Sequence, residues 1–168
     1  MLKKKLDQPV GVIGSGSFGT TVAKLLSYNN DVLIFSRQEA IIQQINESHL
    51  YNQVKLAKNI RATNSLEEVG QMCSLIFPVV PSASFRRMMT AFSPFLKPYH
   101  ILIHGTKGFD LTGVDENQLT ADNISRDNLR TISEVILDES SVVRVGCLSG
   151  PNLSSEILAG QPTAAVIA

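Results

Sequence analysis

Val10-Gly11-Val12-Ile13 runs into Gly14-Ser15-Gly16-Ser17-Phe18-Gly19, and that turn opens the helical run Thr20 to Leu26. An apolar strand, a glycine-rich turn and a helix in direct succession give each glycine a separate task. Gly14 permits the tight turn, Gly16 lets the backbone come up to a pyrophosphate with no Cβ in the way, and Gly19 lets the helix pack close on its strand. The pyrophosphate then rests on the helix N-terminus, where unpaired N–H groups and the positive end of the helix dipole face it. Such a pattern away from a strand–helix junction would be only a turn; its position here points to a dinucleotide.

On either side, short runs of Val, Ile, Leu and Phe alternate with longer stretches of helical period, the pattern of βαβ units around a parallel sheet. Strands are predicted near Val10 to Ile13, Asp31 to Phe35, Leu75 to Pro78, Ile101 to His104, Val143 to Leu148 and Thr163 to Ile167, with a weaker one over Ile60 to Thr63. Helices are predicted at Ser17 to Tyr28, Gln38 to Asn46, Ser65 to Met72, Ser82 to Phe92, Leu129 to Leu137 and Leu153 to Ala159. Ser65 with Glu68 has the capping-box spacing, and Asn29-Asn30 is a stop for the first helix. Gly108 to Asn128 is polar and without period, and reads as a loop. The expected fold class is α/β: a Rossmann-type, doubly wound, mostly parallel sheet with helices on both faces.

Bulk properties narrow the function. The 168 residues suit one domain, and 15 Lys+Arg against 15 Asp+Glu leave a net charge of zero. That balance argues against a nucleic-acid or membrane-surface binder, which needs a basic excess. Lys3, Lys4 and Lys5 read as a solvated leader, because no uninterrupted apolar run follows them. Cys73 and Cys147 lie far apart, without metal spacing, beside apolar segments, and are expected to be reduced thiols of a cytoplasmic protein with no metal site. The sequons at Asn46, Asn123 and Asn152 are then chance matches. The last strand runs into Ala168 with no polar tail, as though cut from a longer chain.

Three further positions carry chemistry. Arg37 stands where an acidic residue for an NAD ribose would fall, roughly 20 residues after the first glycine. An arginine there pairs with a 2′-phosphate or lies over adenine, which favours NADP(H) over NAD(H). Lys107, in His104-Gly105-Thr106-Lys107-Gly108, follows a strand, at the sheet edge where open parallel sheets bind ligands, and offers its charge to an anion or a carbonyl oxygen. Position alone leaves a solvated lysine equally open; His104 is a candidate general acid, but on an apolar strand end it reads more readily as a core histidine. In Ser149-Gly150-Pro151-Asn152-Leu153-Ser154-Ser155-Glu156 a strand end again enters a helix, so Asn152 either caps that helix or points into the cleft, and Glu156 complements the dipole.

Taken with Asn59-Ile60-Arg61-Ala62-Thr63, Val80-Pro81-Ser82, Thr106-Lys107-Gly108 and Ser149-Gly150-Pro151-Asn152 leading to Gly160-Gln161-Pro162-Thr163, the chain resembles the NAD(P)-dependent glycerol-3-phosphate dehydrogenase family over nearly its whole length. The resemblance implies interconversion of sn-glycerol 3-phosphate and dihydroxyacetone phosphate, the former feeding glycerophospholipid synthesis. It implies an NAD(P) site at Gly14, Gly16, Ser17, Phe18, Gly19, Arg37, Pro81, Lys107 and Ser154. It further implies a substrate site at Lys107, Gly150 and Asn152, with Lys107 and Asn152 acting in catalysis. Asn152 is like the asparagine of eukaryotic-type members, where many bacterial ones carry Ser or Thr.

Family members also carry a second, helical domain that supplies an acid/base lysine and a phosphate-binding arginine, and dimer contacts in the full-length protein can involve it. That domain is absent from residues 1–168, so this chain is expected to bind dinucleotide and reduce little. Two alternatives stand beside this reading. One is a ketopantoate-reductase-like or hydroxyacid dehydrogenase, against which the Thr106-Lys107-Gly108 and Gly150-Pro151-Asn152 pairing argues. The other is a non-catalytic, redox-sensing dinucleotide module.

Overall fold

The apolar runs become strands because each buries its side chains alternately above and below one sheet. The computed structural model describes residues 6–51, 54–112 and 125–168. Lys3, Lys4, Lys5, the sequon at Asn123 and the middle of the Gly108 to Asn128 stretch lie outside the described residues. In chain order the elements are β1 (Val10–Ile13), α1 (Ser17–Leu26), β2 (Val32–Phe35), α2 (Glu39–Gln43), β3 (Leu50–Tyr51), β4 (Val54–Lys55), β5 (Ile60–Thr63), α3 (Leu66–Met72) and β6 (Leu75–Pro78). They continue with α4 (Ser82–Phe92), β7 (Ile101–His104), β8 (Phe109–Leu111), β9 (Leu129–Thr131), α5 (Ile132–Glu139), β10 (Arg144–Ser149), α6 (Ser154–Leu158) and β11 (Val166–Ile167).

Seven strands form one sheet in the order β11-β10-β7-β6-β1-β2-β5. All neighbours are parallel except β10 and β11. From β1 the chain winds first toward β5 and then, through β6, the other way, so the strand order reverses between β1 and β6. That reversal opens a crevice beyond the carboxyl ends of these strands.

The core has two layers, one on each face. Val12, Val32, Ile34 and Phe77 pack with Val22 of α1 and Ile41 of α2. Ile13, Leu33, Ile76 and Leu102 point the other way, toward Phe85 and Met89 of α4 and Val135 of α5. Each such side chain contributes about 1.5–3 kcal/mol by leaving water. Helices therefore cover both faces, as the doubly wound pattern requires.

Local chemistry explains where elements start and stop. Ser65 Oγ accepts from the Glu68 N–H at 3.1 Å, half of the expected box, while the Glu68 carboxylate turns to Arg61. The first helix ends at Leu26, before Asn29-Asn30, whose N–H groups close onto the Leu26 carbonyl at 3.2 and 3.1 Å. After Gln43 the second helix widens into one π turn, Gln44–Ser48. Its Asn46 side chain both donates to and accepts from the Ala62 backbone, at 3.0 and 2.8 Å. An amide thus covers part of the outer edge of β5, where a further strand would otherwise dock.

Three expectations change. Leu129–Thr131 is not the start of the fifth helix but a strand paired antiparallel with Phe109–Leu111, so the stretch read as a loop begins with β8. The true helix start is marked by Thr131 and Glu134: Thr131 Oγ1 accepts from the Glu134 N–H at 3.2 Å, and Glu134 Oε2 accepts from the Thr131 N–H at 2.7 Å. The last strand shortens to Val166–Ile167 and runs antiparallel to β10.

The β8–β9 pair is fastened to the domain by Arg86 of α4, which reaches Asp110 at 2.7 Å and also pairs with Glu139 and, at 3.8 Å, Asp138. Thr90 donates to Glu139 at 2.8 Å. This hydrogen bond, with the neighbouring guanidinium, holds the Glu139 carboxyl below its ordinary value of 4.5. A carboxylate depressed in the folded state adds stability above its unfolded value, and that stability is lost as pH falls through the folded one. Thermal melting followed by circular dichroism is expected to fall less steeply below pH 4.5 in Glu139→Gln than in the wild type. Parallel slopes in the two proteins contradict this assignment.

Candidate functional site

The glycine turn at the end of β1 is built on two close approaches. Gly14 has φ 116°, and a Cβ there would stand 2.4 Å from the Val79 carbonyl oxygen. A Cβ on Gly19 would stand 2.0 Å from the Gly14 carbonyl oxygen. Gly16 differs: a Cβ on it meets nothing within 4 Å, so its missing side chain leaves open space in front of the backbone. From Gly16 the helix α1 starts with no side-chain cap and no acidic residue in its first turn. Its N–H groups and positive dipole end therefore face outward uncompensated, as an anion site needs.

Beside the turn lies a cleft of about 330 Å³ between the end of β2 and α4. Gly14, Gly16, Arg37 and Pro81 line it, and Leu66, Val79 and Val80 give it an apolar wall. No carboxylate lines this cleft among the described residues. Arg37 is exposed and makes no hydrogen bond or ion pair among them. Ser15 Oγ donates to Ser36 Oγ at 2.9 Å, and Ser36 Oγ also accepts the Gln38 N–H at 3.2 Å, tying the glycine turn to the loop that carries Arg37.

A second cleft, of about 280 Å³, brings together Phe18, Lys107, Gly150, Asn152 and Ser154. Three separate strand ends supply them, and Phe18 connects this cleft to the glycine turn from the first turn of α1. The Phe18 ring lies against Gly105, where a Cβ would come within 3.0 Å of it. Thr106 Oγ1 donates to the Val80 carbonyl at 2.7 Å and fixes the loop that presents Lys107. Lys107 itself is exposed and without a hydrogen bond or ion pair among the described residues.

Asn152 does not cap α6, whose N-cap is Leu153 and has no side-chain hydrogen bond. Its Oδ1 accepts from Thr163 Oγ1 at 2.9 Å, which leaves the Nδ2 end beside Gly150. Ser17, the first residue of α1, is exposed and lines neither cleft. His104 is 4% exposed, packs edge-on to Phe85 and bonds Ser133 Oγ at 2.9 Å. Burial pushes its pKa down, and it lies in the core behind both clefts. The α4 side of the first cleft (Ser84, Arg87, Met88 and Ala91) was not legible as a site. Its signal is a second stripe at i, i+3, i+4, i+7, beside the apolar stripe of Phe85, Met89 and Phe92.

Among the described residues no group of three or more His, Cys, Asp or Glu is placed to hold a metal. No described helix is long and apolar enough to cross a membrane. The geometry of the turn predicts unequal effects of the same substitution. Gly19→Ala is expected to destabilise the domain by about 1–3 kcal/mol through its clash with backbone, and Gly16→Ala by less than about 1 kcal/mol, the loss of a glycine N-cap. Urea denaturation of the two variants checks the order, and equal losses contradict it.

Comparison with known proteins shows the family. Residues 9–168 match the family described as NAD-dependent glycerol-3-phosphate dehydrogenase N-terminus. The NAD(P)+ glycerol-3-phosphate dehydrogenase of Syntrophobacter fumaroxidans is 34% identical over 165 residues, covering 95% of this chain and 45% of that protein. Among solved structures, glycerol-3-phosphate dehydrogenase from Coxiella burnetii superposes with a TM-score of 0.76 at 23% identity, over 95% of this chain and 46% of the other. The yeast enzyme from Saccharomyces cerevisiae gives 0.77 at 21% identity, over 96% and 47%. At those identities the likeness is one of fold. The chain spans less than half the length of these relatives. By its match over residues 9–168, it belongs to the NAD-dependent glycerol-3-phosphate dehydrogenase family, to whose N-terminal part it corresponds.

Proposed function

We propose that residues 1–168 are the dinucleotide-binding domain of an NAD(P)-dependent sn-glycerol-3-phosphate dehydrogenase that interconverts glycerol 3-phosphate and dihydroxyacetone phosphate for glycerophospholipid synthesis. The observation that carries this reading is the adjacency of two clefts across one glycine turn, the first with Arg37, the second with Lys107 and Asn152. A dinucleotide has two ends and a charged middle, and this edge offers a place for each.

The residues present fit such a cofactor. Open space before Gly16, the uncapped start of α1 and Ser17 receive the pyrophosphate, with Gly14 and Gly19 shaping the turn. Pro81 and the apolar wall take the adenosine end, where Arg37 meets a 2′-phosphate and favours NADP(H). Phe18 and Ser154 flank the nicotinamide end. When bound, the nicotinamide supplies or accepts the hydride at C2 of the substrate.

Lys107 places its charge against the carbonyl oxygen that gains negative charge during reduction, and family membership supports a second contact from it to the cofactor. The Asn152 amide donates to the same substrate, and Gly150, whose missing Cβ lets the Ala164 backbone approach closely, lines the substrate cleft beside it. Proton delivery to the oxygen is assigned to a group in a second domain, and this domain alone is proposed to turn over little. Burial pushes the Cys73 thiol up to about 12, which keeps it protonated; the cytoplasmic setting is proposed from Cys73 and Cys147 being free thiols.

Titration with NADPH and NADH, followed by nicotinamide fluorescence, tests the reading. NADPH is expected to bind more tightly, and Arg37→Asp to weaken it by about tenfold or more while favouring NADH. Failure of the folded chain to bind either nucleotide at millimolar concentration contradicts the proposal.

A further inference from the structure

The helix α4 presents three different faces. Phe85, Met89 and Phe92 are fully buried against the sheet. Arg86 turns to the acidic residues of β8 and α5 that hold it. Arg87, the next residue, leaves the helix about 100° further round and lines the first cleft with Ser84, Met88 and Ala91. Consecutive arginines thus have opposite circumstances. Arg86 has three carboxylates around it, whereas the Arg87 side chain makes no hydrogen bond or ion pair among the described residues and the residue is exposed.

Arg37 shares that condition on the β2 side of the same cleft. Two guanidinium groups without counter-charge among the described residues border a cleft whose described lining contains no carboxylate. Like charges gathered at one cleft repel until an anion joins them. Guanidinium forks match phosphate oxygens bidentately, and two forks from different walls can divide one phosphate between them.

We propose that Arg87 is a specificity-determining residue, gripping with Arg37 the 2′-phosphate that distinguishes NADP(H) from NAD(H). The inference rests on the dinucleotide reading above and adds to it a second cation, from a different element, for the adenosine end. A bare 2′-hydroxyl gives Arg87 no charge to meet, so its contribution is confined to the phosphorylated cofactor.

Adenosine 2′,5′-bisphosphate and adenosine 5′-monophosphate isolate that end of the ligand. Their binding to the wild-type chain and to Arg87→Gln is measured by calorimetry, with circular dichroism to show that the variant is folded. The expected result is a loss of about tenfold or more for the bisphosphate, with the monophosphate unchanged. A variant that binds both ligands like the wild type, or weakens both alike, overturns the proposal and leaves the dinucleotide reading standing. A wild-type chain that binds neither of these ligands nor NADPH removes the dinucleotide reading, and the role of Arg87 with it.

Discussion

The contact between the Gly14 carbonyl and the bare Cα of Gly19 is the constraint on which the rest of the site depends. It lets α1 start hard against the end of β1, and so it sets where the helix N-terminus points. Because the sheet reverses its winding between β1 and β6, that N-terminus faces a crevice instead of a neighbouring crossover. The anion site proposed at this edge needs backbone alone: no side-chain hydrogen bond caps α1 among the described residues and no acid lies in its first turn. In the proposed function, side chains decide what each end of the crevice takes, with Arg37 and Arg87 lining the cleft at one end and Lys107 and Asn152 the cleft at the other.

Packing and recognition are divided among the faces of single elements. On α4 one stripe fills the core, one arginine anchors the β8–β9 pair, and a third stripe walls the first cleft. The anchoring has a functional side, since β8 begins directly after Lys107-Gly108. With Thr106 bonded to Val80 before it and Asp110 bonded to Arg86 after it, the segment carrying Lys107 is held at both ends. The catalytic role proposed for Lys107 would gain from such positioning, because misplacement of a catalytic group is costly in rate.

Much of this was legible in the residue order. The strands at Val10–Ile13, Leu75–Pro78 and Ile101–His104 fall where apolar runs bounded by turns place them, because a strand buried on both faces leaves little room for polar residues; the edge strand Ile60–Thr63, with its exposed Arg61, carries the weaker signal. The glycine turn was equally plain, its chemistry being local. What escaped was tertiary. Leu129–Thr131 has no strand character of its own and becomes one by pairing with Phe109–Leu111 across a long separation. The direction of β11 depends on how the segment after α6 folds back, which no periodicity records. Nothing in the residue order distinguishes Arg87 from Arg86, and only the placement of α4 over the crevice separates the two.

The account holds that one dinucleotide lies along the carboxyl edge of the sheet, from the Arg37 cleft across Gly16 to Lys107. The most direct test is an amide-resolved NMR titration of this chain with NADPH. The account predicts that the largest shifts fall together on Gly14, Gly16, Ser17, Arg37 and Lys107, saturating with a single affinity. Shifts centred instead on the opposite edge of the sheet, around Asp31, Lys58 and Asn59, where a third cleft lies, would contradict it.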